Sequence, residues 1–237
     1  MQNLALKRLR PEDPPSAFPD PARAMREPDG LLAVGGDLSP ERLLYGYRHG
    51  IFPWYDAGLP ILWWSPDPRA MIRPDTLHIS RSLRRRMRKG GYDIRFDNAF
   101  SEVMEGCAGP RLQHPEGGTW INGEMKEAYG RLHGLGHAHS AEMWQDGALV
   151  GGLYGVAVGR VFFGESMFSR VTDASKIVLA TLMQHLGRWG YAFMDCQMQT
   201  EHLKSMGSSP VPRADFLALV ARHCDASVHD GAWRSES

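Results

Sequence analysis

Cysteine is scarce in this chain: Cys107, Cys196 and Cys224 are odd in number and far apart. That excludes a disulfide framework and a Cys-x-x-Cys metal site. Net charge is absent too, because 27 basic residues face 27 acidic ones, so any positive surface must be local. No apolar run is long enough to cross a bilayer, and the opening Met1-Gln-Asn-Leu-Ala-Leu-Lys-Arg holds no signal-peptide core. No membrane association and a cytoplasmic location are expected. Neither a Gly-x-x-x-x-Gly-Lys-Ser/Thr phosphate loop nor a Gly-x-Ser-x-Gly nucleophile turn occurs, which argues against ATP use and a serine hydrolase. Internal repeats and low-complexity segments are likewise missing.

What is present is uneven. With 237 residues, 43% of them hydrophobic, the chain can build one large domain or a small domain and a medium one. The first part is rich in Pro and Gly and poor in periodicity, so a division into residues 1–71 and 72–237 is expected. Trp54, Trp63 and Trp64 lie in a run broken by prolines 53, 60, 66 and 68, which rule out a regular helix. On an extended scaffold these rings either seal a domain junction or form a stacking platform. From Ser80 to Gly90 there are six basic residues and no acidic one, so the rest of the chain carries −6. Ile79, Leu83 and Met87 give one apolar helical stripe, while Arg81, Arg84, Arg85, Arg88 and Lys89 fall on the remaining surface. Ser80 suits the N-cap and Gly90 the stop. This is either a solvated face or a phosphate-binding one.

Beyond the basic helix, Tyr92, Ile94 and Phe96 alternate as a half-buried strand does, and Phe100, Val103, Met104 and Cys107 follow helical spacing. A helix is expected from Glu124 to Leu135. Three strands follow, Ala138 to Trp144, Ala148 to Val158 and Arg160 to Met167, with Asp146-Gly147 and Gly159 as turns. Asp173 is expected to cap a helix from Ala174 to Gly187, ahead of a buried strand Tyr191 to Gln197 and a last helix Arg213 to His223. The order β-α-α-β-β-β-α-β-α predicts an α/β (α+β) fold, a mixed sheet covered by helices as in GNAT-type acyltransferases. Topology alone says little about function.

Several residues could carry chemistry. Asp195 and Gln197 end an apolar strand two residues apart, so they share a face; Asp195 is either a cap for the next segment or a site residue. Glu165 lies among large apolar residues and needs a partner. Either Arg170 supplies it in an internal salt bridge, or a substrate does. Leu153, Phe162, Met167, Leu182 and Met194 are either plain core or the lining of an apolar pocket near those acids. His133, His137 and His139 are close together, but Gly134 and Gly136 break the helix that would align them, so no metal is expected.

Taken together, the chain resembles the bacterial leucyl/phenylalanyl-tRNA protein transferase family. The resemblance is carried by Arg26-Glu-Pro-Asp-Gly-Leu-Leu-Ala-Val-Gly-Gly-Asp-Leu-Ser39, Gly50-Ile-Phe-Pro-Trp54, Leu62-Trp-Trp-Ser-Pro-Asp-Pro-Arg69, His78-Ile-Ser-Arg-Ser82, Gly118-Thr-Trp-Ile121, Gly134-Leu-Gly-His-Ala-His-Ser140, Gly164-Glu-Ser-Met-Phe-Ser-Arg170 and Asp195-Cys-Gln197. The loop from Gly109 to Gly117 looks lengthened. The resemblance implies transfer of Leu or Phe, and less well Met, from leucyl-tRNA or phenylalanyl-tRNA to the α-amino group of proteins beginning with Arg or Lys. That transfer marks them for the N-degron pathway. It further implies a GNAT-like domain behind a small N-terminal one, no metal or coenzyme, and a monomer. By the same resemblance, Trp54 and Trp120, with Tyr47 beside them, contact the terminal adenosine, and Glu165, Asp195 and Gln197 line the reaction centre. The apolar set, joined by Tyr129, holds the donor side chain.

Such a reaction needs a neutral amine, a stabilised oxyanion and a protonated leaving hydroxyl. With an α-amino pKa near 7.7–8.0, roughly a tenth of the amine is neutral at pH 7, so a strong base is not required. The expectation is that Asp195 orients or deprotonates the amine and Gln197 fixes its geometry. Two rivals remain. An acetyl-CoA-dependent enzyme of the same fold would carry a Gln/Arg-x-x-Gly-x-Gly/Ala loop where this chain has Ser169-Arg-Val-Thr-Asp-Ala-Ser175. A tRNA-binding module without catalysis would have no use for the paired acids.

Overall fold

The computed structural model describes residues 6–109 and 120–233. The expected lengthened loop lies almost wholly outside them. In the first part, β1 (Lys7–Leu9), β2 (Leu31–Gly35), β3 (Phe52–Pro53) and β4 (Leu62–Trp64) form a sheet in the order β1-β2-β4-β3, next to helix α1 (Pro40–Arg48). Ser39 caps α1 by accepting from the Arg42 amide, and Pro40 supplies a first-turn φ that is already helical. The proline-broken aromatic run is extended, as its composition predicts.

The second sheet holds seven strands in the order β11-β5-β10-β9-β8-β7-β6. They are β5 (Arg69–Ile72), β6 (Asp93–Phe96), β7 (Ala138–Gln145), β8 (Ala148–Val158), β9 (Val161–Ser169), β10 (Phe193–Gln197) and β11 (Ser209–Val211). Helices α2 (Arg81–Lys89), α3 (Phe100–Ala108), α4 (Gly123–Gly134), α5 (Ala174–Arg188), α6 (Glu201–Ser205) and α7 (Arg213–His223) complete the order. The expected β-α-α-β-β-β-α-β-α succession is present, with β8 and α7 ending where the sequence placed them. Asp146 and Gly147 have φ of 51° and 78°, the doubly positive pair of a tight hairpin turn.

Three expectations need correction. A division after residue 71 falls inside β5, which pairs with both β10 and β11 and belongs wholly to the larger sheet. Asp173 precedes α5 but does not cap it: its backbone is left-handed, at φ 66°, and its side chain makes no capping bond. Instead, the Ser169 hydroxyl accepts from the Ser175 amide at 3.3 Å. The strand before Gln197 begins at Phe193, two residues late. The short α6 and β11 escape pattern reading because neither is long enough to show a period.

Side chains alternate across the large sheet. Tyr154, Val156, Phe163 and Phe193 pack on one face with α3 and α4, and Leu153, Phe162 and Met194 on the other beneath α5. Strands β9 and β10 are parallel, and their pairing ends at Phe163–Asp195. Just past that point each strand carries a bulge. Tyr154 pairs with Ser166 and Gly155 with Gly164, leaving Glu165 extra, while Asp195 pairs with Met71 and Gln197 with Ala70, leaving Cys196 extra. The two strands therefore part with re-aimed side chains on both lips. Gly155 permits this geometry, since a Cβ there would sit 2.2 Å from the Phe163 carbonyl oxygen. Replacing Gly155 with Ala is expected to cost about 1–3 kcal/mol by overpacking, read as a lower urea midpoint at unchanged slope.

Candidate active site

Asp195 is fully buried, and so is its partner Arg69. The Arg69 Nε and Nη2 donate to Oδ1 and Oδ2 at 2.8 and 2.7 Å, a bidentate pair, and Nη1 donates to the Gly50 carbonyl at 3.0 Å. The guanidinium lies over the rings of Phe52 and of Phe216, 4.7 Å from each ring centre. Asp195 Oδ1 also accepts from the Gln197 amide at 2.9 Å, holding Gln197 at φ 60°. This arrangement corrects the expectation that Asp195 itself meets the acceptor amine: both its oxygens are occupied and water does not reach it. Arg69 is the functional residue that sequence reasoning overlooked, although a carboxylate at the end of an apolar strand demands a buried cation.

Gln197 in turn donates from Nε2 to Glu165 Oε1 at 3.0 Å. The Tyr47 hydroxyl donates to the same oxygen at 2.8 Å, and the Tyr129 hydroxyl to Oε2 at 3.0 Å. The two phenol oxygens are also in contact with each other. Elements α1, α4, β9 and β10 thus bring four polar groups to the point where β9 and β10 part. Burial pushes the Glu165 carboxyl up to about 7; the two hydroxyls and Arg69 pull it down, and the Asp195 charge pushes it up. Burial, and next the Glu165 charge, hold both phenols well above their ordinary value, so they remain donors. Burial also pushes the Cys196 thiol far up, which leaves it no nucleophile at neutral pH.

The geometry revises two groupings. Tyr47 does not stand beside the tryptophans as a stacking ring: it is 0% exposed, and its ring packs against Phe163. Tyr129 does not join the apolar set, because it lies in the core on the opposite face, with its hydroxyl on Glu165. Leu153, Phe162, Leu182 and Met194 come together as buried core under α5, and Met167 is partly exposed at the same cluster. The salt bridge from Glu165 to Arg170 does not form; Arg170 donates to the Leu149 carbonyl at 2.8 Å and covers the Phe168 ring.

Trp54 is 38% exposed and tilts against Trp64 at 5.6 Å, while Trp63 is buried. The run therefore divides between seal and open surface. Trp120 is half-buried at the edge of the core. The basic helix has Ser80 and Gly90 at its ends as expected. Arg81, Arg84, Arg85, Arg88 and Lys89 are exposed, and none of the ion pairs among the described residues involves them. Arg86 instead turns back to the Gly90 carbonyl and the Tyr92 ring. His133 and His139 both approach Asp97, at 3.9 and 2.7 Å; His133 also bonds to the Ala138 carbonyl, and His139 stacks on Trp233.

Removing Asp195 would strand a buried guanidinium. Asp195→Ala is expected to cost about 3–5 kcal/mol of stability, and Arg69→Met with Asp195→Leu to recover much of it, both measured by denaturant unfolding. Equal stability of Asp195→Ala and the unmodified protein would contradict a closed ion pair.

With this geometry in place, comparison with known proteins is specific. Residues 71–221 match the model described as leucyl/phenylalanyl-tRNA protein transferase, and residues 36–67 match the model of its N-terminal domain. The proteins named "Leucyl/phenylalanyl-tRNA--protein transferase" include one from Stutzerimonas stutzeri that is 60% identical over 88% of this chain and 92% of its own length. Another, from Thiobacillus denitrificans, is 54% identical over 94% of this chain and 96% of its own length. Among solved structures, a GCN5-related N-acetyltransferase from Kribbella flavida is 12% identical over 72% of this chain and 60% of that one, with a TM-score of 0.35, a likeness too slight to bear on function. The two family models, the extent of these identities and the order of elements agree: the chain belongs to the leucyl/phenylalanyl-tRNA protein transferase family.

Proposed function

We propose that this protein transfers Leu or Phe, and less well Met, from leucyl-tRNA or phenylalanyl-tRNA to the α-amino group of proteins that begin with Arg or Lys. Transfer proceeds by aminolysis of the aminoacyl ester in the cytoplasm, needs no metal or coenzyme, and marks the acceptor for the N-degron pathway. The observation that carries this reading is the 60% identity to a transferase of that name across 88% of the chain. The geometry supports it: Glu165 and Gln197 stand where β9 and β10 part, and positioning of amine and ester there supplies much of the acceleration. Asp195 contributes by fixing Gln197. Trp54, open to solvent beside Trp64, and Trp120 offer rings for the terminal adenosine. The exposed arginines of α2 suit phosphates of the tRNA body. Leu153, Phe162, Met167, Leu182 and Met194, a core cluster in which Met167 is partly exposed, are assigned to the donor side chain.

Mixing the protein with radiolabelled leucyl-tRNA and an Arg-initiated peptide tests the whole reading: label should move to the peptide. Label that stays on the tRNA would favour a binding module without catalysis. Arg84→Ala, Arg85→Ala and Arg88→Ala should each flatten the salt dependence of tRNA binding by about one unit of slope per lost phosphate contact.

Donor choice should follow the apolar set. One misplaced methyl in an apolar pocket discriminates by about 1–3 kcal/mol, so leucyl-tRNA should outcompete isoleucyl-tRNA by roughly ten- to two-hundredfold. Competition between the two charged tRNAs, repeated with Met194→Ala, measures this. Equal transfer of Leu and Ile would mean that these residues are core and that selection lies elsewhere.

A further inference from the structure

Of the two carboxylates at the cleft, only Glu165 keeps contact with solvent. Asp195, 0% exposed, accepts twice on Oδ1 and once on Oδ2, from the buried Arg69 and the Gln197 amide. Glu165 accepts from Tyr47 and Gln197 on Oε1, filling its two lone pairs, but only from Tyr129 on Oε2. Among the described residues Oε2 has no second donor, and Glu165, unlike the fully buried Asp195, keeps partial contact with solvent through which an amine can approach.

The Tyr47 hydroxyl, the Tyr129 hydroxyl and the Glu165 carboxylate form a closed triangle of three oxygen–oxygen contacts. Each phenol has a single O–H, so when Glu165 is ionised two protons serve three contacts. A third proton, on Glu165, lets every contact be a hydrogen bond: the carboxyl donates to one phenol, that phenol to the other, and the second back to the carboxylate group. The triangle is one proton short of complete.

We propose that Glu165, held by Tyr47 and Tyr129, is the catalytic group that takes the proton from the attacking amine, and that the two tyrosines are positioning residues for it. The proposal rests on the aminolysis reading above. The acceptor ammonium gives one proton to Glu165 and becomes nucleophilic. Its nitrogen bonds to the ester carbonyl carbon, and the carbon–oxygen bond to the ribose breaks. The second proton lost by the nitrogen goes to the leaving ribose oxygen, and the proton held by the triangle returns to water. A base poised near the working pH is the efficient one, and burial places Glu165 at about 7. The groups facing it are Tyr47 from α1, Tyr129 from α4, Asp195 and Gln197 from β10 and Arg69 from β5.

The signs follow. Glu165 must be ionised to act, so the transfer rate falls as pH drops through its pKa. Phenolic donors favour the ionised form, so removing one raises that pKa and moves the acidic limb of kcat/KM to higher pH. Tyr47→Phe and Tyr129→Phe should each shift this limb upward by about one unit, while the acceptor's own ionisation, common to all variants, cancels in the comparison. Glu165→Gln should lower transfer by roughly 10²–10⁴-fold and leave only the limb of the acceptor's own ionisation. Carbon-13 NMR of the Glu165 carboxyl in the free protein should give a midpoint near 7 that rises in both tyrosine variants. A Glu165→Gln protein with undiminished rate, or tyrosine variants with an unmoved limb and an unmoved carboxyl midpoint, would overturn the proposal. Should Glu165→Gln not fold by circular dichroism, the two Phe variants decide. Failure of the unmodified protein to transfer label at any pH would instead overturn the functional reading itself.

Discussion

The buried pair of Arg69 and Asp195 is the contact on which the rest of the site depends. It joins β5 to β10 by two hydrogen bonds, fastens the Gly50 carbonyl at the end of α1, and places a cation between Phe52 of the smaller sheet and Phe216 of α7. A charge with no access to water is tolerable only when its hydrogen-bonding capacity is met. Here all parts of the chain near the cleft contribute to meeting it. The pair therefore couples the small sheet, the large sheet and the last helix, and Asp195 relays that registry to Gln197 through the backbone amide.

Two carboxylates on adjacent strands thereby acquire opposite characters. Asp195 has a fixed guanidinium against both oxygens. Glu165 faces neutral donors, two phenols and an amide, which hold it without discharging it. Burial then pushes its carboxyl to about 7. The difference arises from local backbone geometry: the bulges at Glu165 and Cys196 turn side chains into the gap where the parallel pairing of β9 and β10 stops. Without the extra residue in β9, Glu165 would keep the strict alternation of the strand.

Much of the architecture is legible from residue pattern. The hairpin at Asp146-Gly147, the full length of β8, the capped basic helix and the last helix all follow from local chemistry, since each has a period or a turn signal of its own. Elements without such a signal were not legible: β11 exists because the edge of β5 is available to it, and β5 itself hides in a proline-rich run. The left-handed Asp173 looks like a cap in sequence and is not one, because its backbone points the side chain away.

Within the candidate site, the sequence by itself determined which residue types are available: Glu165, Asp195 and Gln197, the tryptophans, and a helix whose positive charge is concentrated on its exposed surface. It also determined the family, through motifs spread along most of the chain. Tertiary structure alone decided how those residues divide the work. Tyr47 and Tyr129 are 82 positions apart, and nothing local in either segment marks the carboxylate they share. Arg69 and Asp195 are 126 positions apart, so the choice of which acid is neutralised and which stays available is made only when β5 and β10 pair. Hydrogen bonds of this kind depend on distances set by packing of whole elements, and that information does not reside in any single stretch of chain.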